Sequence, residues 1–224
     1  MSKKIIVHCL SWWYHLVFQR LPEVFPANTA KGIMDPFFVC MEKILVKFPF
    51  LFHQYIAVYD DMVTQESQLV SLNDDDDSIL VVGCGSLPAT CLLLAKQTKA
   101  KITGIDYDAS AIKYAIDINQ QNKDKGTIQL IHADGLTYSP TKYSVIFLLY
   151  GIKVHKEILR TYANILTSKT RIIYRTVEHL QEQDSEWYQE LHHLYTIRGC
   201  HTTSSFGSIA SYLLVPKKNK NNNK

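Results

Sequence analysis

The sequence predicts an α/β protein: a doubly wound, mostly parallel sheet with an N-terminal helical cap. Three observations predict it. From Ser78 onward, short apolar runs alternate with helical stretches, the pattern of a parallel sheet covered on both faces. A tight turn, Gly83-Cys84-Gly85, joins the first apolar run to the helix behind it. The residues before the linker at 73–77 show no such alternation and are dense in Phe, Trp and Tyr. The expected division is a helical cap over 1–72, an α/β domain over 73–216 and a disordered Lys/Asn-rich tail over 217–224. A chain of 224 residues suits one domain of typical size with an appendage.

Taken in order, the first helix is expected over Ser2 to Arg20, stopping before Pro22. Lys3-Lys4 precede an apolar run from Ile5 to Phe18, but His8, Ser11 and His15 interrupt it and it is too short to span a bilayer. Ile5, Cys9, Trp12, Trp13, Leu16 and Val17 share one helical stripe instead. Leu21 to Gly32 reads as a connector. Helices follow over Pro36 to Lys47, with the proline in its first turn, and over Phe50 to Leu72. Asp74-Asp75-Asp76-Asp77 repel one another and read as a solvated linker. Ile79-Leu80-Val81-Val82 is a buried strand, Pro88 to Thr98 a helix, Lys101 to Ile105 a strand, Ser110 to Gln121 a helix, and Thr127 to Ile131 a strand. Ser144 to Leu149 is a strong buried strand, His155 to Leu166 a helix, Arg171 to Tyr174 a strand, and Glu182 to Leu194 a helix. Strands near Tyr195 to Ile197 and Ile209 to Val215 pair as an antiparallel edge.

Composition narrows the function. With 46% apolar and 20% charged residues the chain is an ordinary globular one, not a disordered one. The net charge is +3, but the tail holds Lys217, Lys218, Lys220 and Lys224 without an acid, so the body carries −1. No basic face for nucleic acid follows, and no membrane partner. Five cysteines without a Cys-x-x-Cys signal neither a zinc site nor a disulfide framework. A reducing, cytoplasmic setting is expected. His192-His193 reads as solvated, and no metal site is expected.

The glycines of Val82-Gly83-Cys84-Gly85-Ser86-Leu87-Pro88 let the backbone turn sharply and let a ligand lie against the main chain. Asp106 follows Gly83 by 23 residues, at the end of the second strand, where a carboxylate can accept both hydroxyls of a ribose. The third strand ends in His132-Ala133-Asp134-Gly135, a second acid on the same sheet edge. A nicotinamide enzyme would carry Gly or Ala where Pro88 stands and would need no acid after the third strand. A carboxylate there suits an adenine amino group.

This three-part pattern resembles the S-adenosylmethionine-dependent transferases of the class I methyltransferase fold, a Rossmann-like fold, over Ser78 to Val215. A closer resemblance is to nicotianamine synthases and their metallophore-making relatives. Their loop reads Gly-Ser-Gly-Pro-Leu-Pro, and here Gly83-Cys84-Gly85-Ser86-Leu87-Pro88 stands in its place. Their second strand ends Tyr-Asp-Ile-Asp, similar to Ile105-Asp106-Tyr107-Asp108. Their Tyr-Asp-Asn stretch resembles Tyr59-Asp60-Asp61, and their Val-Phe-Leu-Ala-Ala strand resembles Ile146-Phe147-Leu148-Leu149-Tyr150-Gly151. Their Leu-Arg-Ser matches Tyr174-Arg175-Thr176 at the arginine. Cys84 and Ser86 replace the usual serine and proline, and the chain is shorter than expected for that family.

The resemblance implies S-adenosyl-L-methionine as cofactor, lined by Gly83, Cys84, Gly85, Ser86, Asp106, Tyr107, Ala133, Asp134 and Leu149. It implies transfer of a methyl group, or alternatively of the aminocarboxypropyl arm, to a small-molecule acceptor. A cofactor-binding subunit without turnover is the other class. A base is needed where the acceptor is a hydroxyl or ammonium group. Tyr59, which the resemblance places beside the reacting centre, leads the candidates, with Tyr150 and Glu66 after it. Arg175 could hold a substrate carboxylate bidentately, and His201 is a further acceptor-side candidate. No Asn/Asp-Pro-Pro-Tyr follows the fourth strand, which argues against transfer to a nucleobase amino group.

Overall fold

The structure, a computed structural model, describes residues 49–72, 78–121, 128–176, 186–203 and 209–217. The helices expected before residue 48, the acidic linker and the tail beyond Lys217 lie outside the described residues.

Helix α1 (Pro49–Leu69) comes first. After it the chain alternates: β1 (Ser78–Val82), α2 (Ala89–Gln97), β2 (Lys101–Asp106), α3 (Ala109–Gln121), β3 (Ile128–His132), β4 (Val145–Leu148), α4 (His155–Ile165), β5 (Arg171–Thr176), α5 (Glu186–Leu194), β6 (Tyr195–Thr203) and β7 (Ile209–Pro216). The seven strands form one sheet in the order β3-β2-β1-β4-β5-β7-β6. β1 to β5 are parallel, and β7 runs antiparallel to both β5 and β6. The doubly wound, mostly parallel sheet is as the apolar runs predict. The last two strands do pair antiparallel, and β6 extends to Thr203, well past the expected Ile197.

Period-2 geometry explains why runs such as Ile79-Leu80-Val81-Val82 carry no polar position. Ile79 and Val81 pack with Phe147, Ile173 and Leu213 against Val63, Cys91, Leu94 and Ile112 of α1, α2 and α3. Leu80 and Val82 point the other way, with Ile146, Leu148 and Tyr174 against Ile158, Leu159, Trp187 and Leu191 of α4 and α5. Both faces are therefore dry.

The second half of α1 is built into this core. Val63 and Val70 are fully buried in it, so residues 59–72 of the expected cap form a layer of the α/β unit. The helix stops at Leu69, short of the expected Leu72, because Ser71 takes a left-handed conformation (φ 51°). The Arg171 guanidinium, at the start of β5, donates to the carbonyls of Val70 and Ser71. That places a cation where the helix dipole is negative. Among the described residues no helix is long and apolar enough to cross a membrane.

Candidate active site

The sheet order reverses between β1 and β4, and open α/β sheets bind ligands at the carboxyl edge beside such a switch point. Val82 is level with Ile105 of β2 and Leu148 of β4, so three strands end together there. The loop Gly83–Pro88 crosses this edge. The N–H groups of Gly83 and Cys84 donate to the Ile105 carbonyl (2.8 and 3.1 Å). Gly83 (φ +78°) and Gly85 (φ +66°) hold backbone angles that only glycine adopts without strain. A Cβ on Gly83 would stand 2.8 Å from Ile152, in the turn after β4.

Asp106 closes the loop on its far side. One carboxylate oxygen accepts the Gly85 N–H at 2.8 Å, the other the Asp108 N–H at 3.0 Å. A carboxylate offers about four acceptor positions, so two donors fix its orientation and leave capacity for two hydroxyls. The Ala133 N–H donates to the Asp106 carbonyl (2.9 Å), which carries the end of β3 to the same edge. Asp134 is exposed there, with one oxygen accepting the Leu136 N–H at 2.9 Å. Tyr107, next after Asp106, is exposed, and its carbonyl bonds the His132 Nε2 at 2.9 Å. The Leu149 N–H donates to the Val82 carbonyl (3.2 Å), setting Leu149 and the half-buried Tyr150 beside the glycine loop. All nine residues expected to line the cofactor thus share one sheet edge.

Cys84 is buried, and its thiol is pushed well above the ordinary range by a hydrogen bond with Cys91, then by burial. It remains a thiol and offers packing and backbone, not a nucleophile.

The acceptor-side candidates divide differently. Tyr59 is half-buried and packs beside Met62 and Ile209. Ile209 opens β7 next to the Ala210–Thr176 pair, so Tyr59 lies at the carboxyl end of β5. Glu66 and Arg175 are committed to each other. The Arg175 Nε donates to one Glu66 oxygen at 2.7 Å and an Nη to the other at 2.6 Å. Ser211 donates to the same Glu66 carboxylate at 2.6 Å, and Arg175 also donates to Thr90 at 3.1 Å. Both side chains are buried, at 0% and 3% exposure. His201 sits opposite Ser211 on β6, the outermost strand. That is four strand spacings, about 19 Å, from the glycine loop. His192 and His193 are exposed, as expected. Among the described residues no group of His, Cys, Asp or Glu could hold a metal ion.

Sequence reasoning missed Ser211, Thr90, His132 and Ile152. Ser211 carried a signal, a lone polar residue inside the apolar run Ile209 to Val215. Thr90 and Ile152 carried none.

Comparison with solved structures places the fold. A point-substituted form of MtNAS, a nicotianamine synthase, superimposes with a TM-score of 0.75 at 15% identity, covering 97% of this chain and 90% of that one. The same substituted form is also solved with S-adenosylmethionine, and MtNAS with MTA and tNA. The magnesium protoporphyrin IX methyltransferase of Synechocystis PCC 6803, with bound SAM, gives 0.55 at 16% identity over 75% of this chain and 81% of that one. An RNA methyltransferase from Salinibacter ruber, in complex with S-adenosyl-L-homocysteine, gives 0.56 at 14% over 72% and 94%. At such identities the likeness shows the fold. No curated protein matches the chain. The family model described as "Methyltransferase domain" matches residues 73–219, from the linker through β7. With that match over the glycine loop and the two strand-end acids, the chain belongs to the methyltransferase domain family, whose cofactor is S-adenosylmethionine.

Proposed function

We propose that the chain transfers a group from S-adenosylmethionine to a small-molecule acceptor, with methyl transfer as the first reading. The Asp106 carboxylate carries this reading: it is oriented by the Gly85 and Asp108 N–H groups with acceptor capacity left over. The loop main chain, Asp106 and Asp134 would hold the adenosine, and Tyr107 and Leu149 would flank it. Bound S-adenosylmethionine supplies a sulfonium whose attached carbons are electrophilic. The protein's part is alignment of an acceptor lone pair with the C–S bond that breaks. In this reading Tyr59 and Tyr150 would stand on the acceptor side, to take the acceptor's proton or steady the positive centre.

A second reading is favoured by one observation. MtNAS covers 97% of this chain, including the region before residue 73, whereas the methyltransferases cover 72% and 75%. That supports transfer of the aminocarboxypropyl arm, in which the first arm carbon is attacked and methylthioadenosine leaves.

The by-product separates the readings. The purified chain, given S-adenosylmethionine and a small-molecule extract, should release S-adenosylhomocysteine for methyl transfer. Methylthioadenosine dependent on added extract would establish arm transfer. Neither by-product above the blank, with the cofactor bound, would make the chain a binding subunit.

A further inference from the structure

The Glu66–Arg175 pair sits away from the glycine loop, yet it joins three elements at one buried point; α1 and α2 also meet at the far end of α2, where Gln97 donates to Thr64 at 2.8 Å and accepts from Ser67 at 3.2 Å. Glu66 belongs to α1, Arg175 to the end of β5, and Arg175 reaches Thr90 in the first turn of α2. Thr90 is the second residue after the glycine loop. Glu66 lies seven residues after Tyr59, two helical turns along α1 and on the same face, about 10.5 Å away along the axis. The other end of α1 is tied to Arg171 at the start of β5, so α1 runs antiparallel to that strand and Tyr59 projects toward the carboxyl edge.

A buried ion pair is weak evidence for stability. Desolvation offsets much of its attraction, and well-packed apolar residues of similar volume often serve as well. What apolar contacts lack is direction. The bidentate fork fixes both the height and the rotation of α1 against β5, and the third bond fixes α2 relative to both.

We propose that Glu66 and Arg175 are positioning residues. They lock the helix carrying Tyr59 to the helix of the glycine loop, so that ordering the loop around cofactor also orders the acceptor side. This rests on the transferase reading and adds a coupling to it. Neither residue then contacts substrate: Glu66 is not the base, and Arg175 does not hold an acceptor carboxylate.

Amide hydrogen exchange on the full chain, with and without saturating S-adenosylhomocysteine, tests it. In the wild type the ligand should slow exchange at 83–92 and also at 59–66, by at least roughly threefold in each. In the double variant Glu66→Leu/Arg175→Met, which leaves no buried unpaired charge, protection at 83–92 should persist while that at 59–66 is lost. Glu66→Gln, which keeps the shape and a hydrogen bond, should retain part of the spread. Protection confined to 83–92 in the wild type overturns the coupling but not the transferase reading. Equal spread in the double variant likewise makes the pair mere packing. A wild type that does not bind S-adenosylhomocysteine removes the reading, and the coupling with it.

Discussion

Two halves of the same sheet edge treat charge in opposite ways. At the ends of β2 and β3, Asp106 and Asp134 are held by backbone N–H groups, with no cation against them among the described residues. At the end of β5, Glu66 and Arg175 are sealed together and neutralised. The first half keeps acceptor capacity unused, on an exposed Asp134 and a largely covered Asp106; the second spends it internally. An acid at a strand's carboxyl end is therefore a binding group only where its partners are main-chain donors that leave lone pairs unused.

The sharpest way to break this contrast is to unpair the sealed half. Arg175→Met leaves the Glu66 carboxylate buried without its cation and should cost about 3–5 kcal/mol, lowering the thermal midpoint by on the order of 10 °C. Adding Glu66→Leu should recover most of that loss. A single variant as stable as the wild type would mean that water reaches the pair, and the contrast would dissolve.

On the open half, Tyr59→Phe removes one oxygen and keeps the ring's packing. A fall in kcat of about 10²-fold with cofactor affinity intact would fit a proton acceptor or a group steadying the reacting centre. A change under about threefold in a folded variant would return Tyr59 to packing. Gly83→Ala should cost on the order of 1–3 kcal/mol, because alanine is strained at φ +78° and its Cβ would meet Ile152. Pairing it with Ile152→Ala should relieve the contact but not the dihedral, so calorimetric unfolding should show only partial recovery.

The smallest effect concerns the loop thiol. Cys84 has its pKa raised in the fold, so its contribution to stability is whole below its unfolded value near 9 and is lost as pH rises toward the folded value. At pH 8, peptide mapping after brief iodoacetamide treatment should find Cys84 and Cys91 unmodified and the exposed Cys200 modified. Rapid labelling of Cys84 would show that the loop opens more readily than its hydrogen bonds to β2 imply.

Much of this was legible in the sequence, for identifiable reasons. Apolar runs such as Ile146-Phe147-Leu148 announce strands buried on both faces, and their alternation with amphipathic stretches fixes a parallel sheet. Gly83, Asp106 and Asp134 fall at strand ends, so their convergence follows from the topology alone. Partnership across the fold was not legible. Glu66 and Arg175 are 109 residues apart, and as a carboxylate and a guanidinium they read as reactive groups until each is seen to satisfy the other. The reach of α1 was hidden for a similar reason: Val63 and Val70 bind it to the core, but Phe50 to Leu72 read as part of an aromatic-dense cap set apart from the sheet.

The central claim is that the open half of the edge holds the adenosine of S-adenosylmethionine, and calorimetric titration of S-adenosylhomocysteine into the wild type and Asp106→Ala tests it most directly. The account predicts that the variant, still folded, loses two charge-assisted hydrogen bonds, about 2–4 kcal/mol or roughly 30- to 1000-fold in affinity. Equal affinity in the two proteins would contradict it.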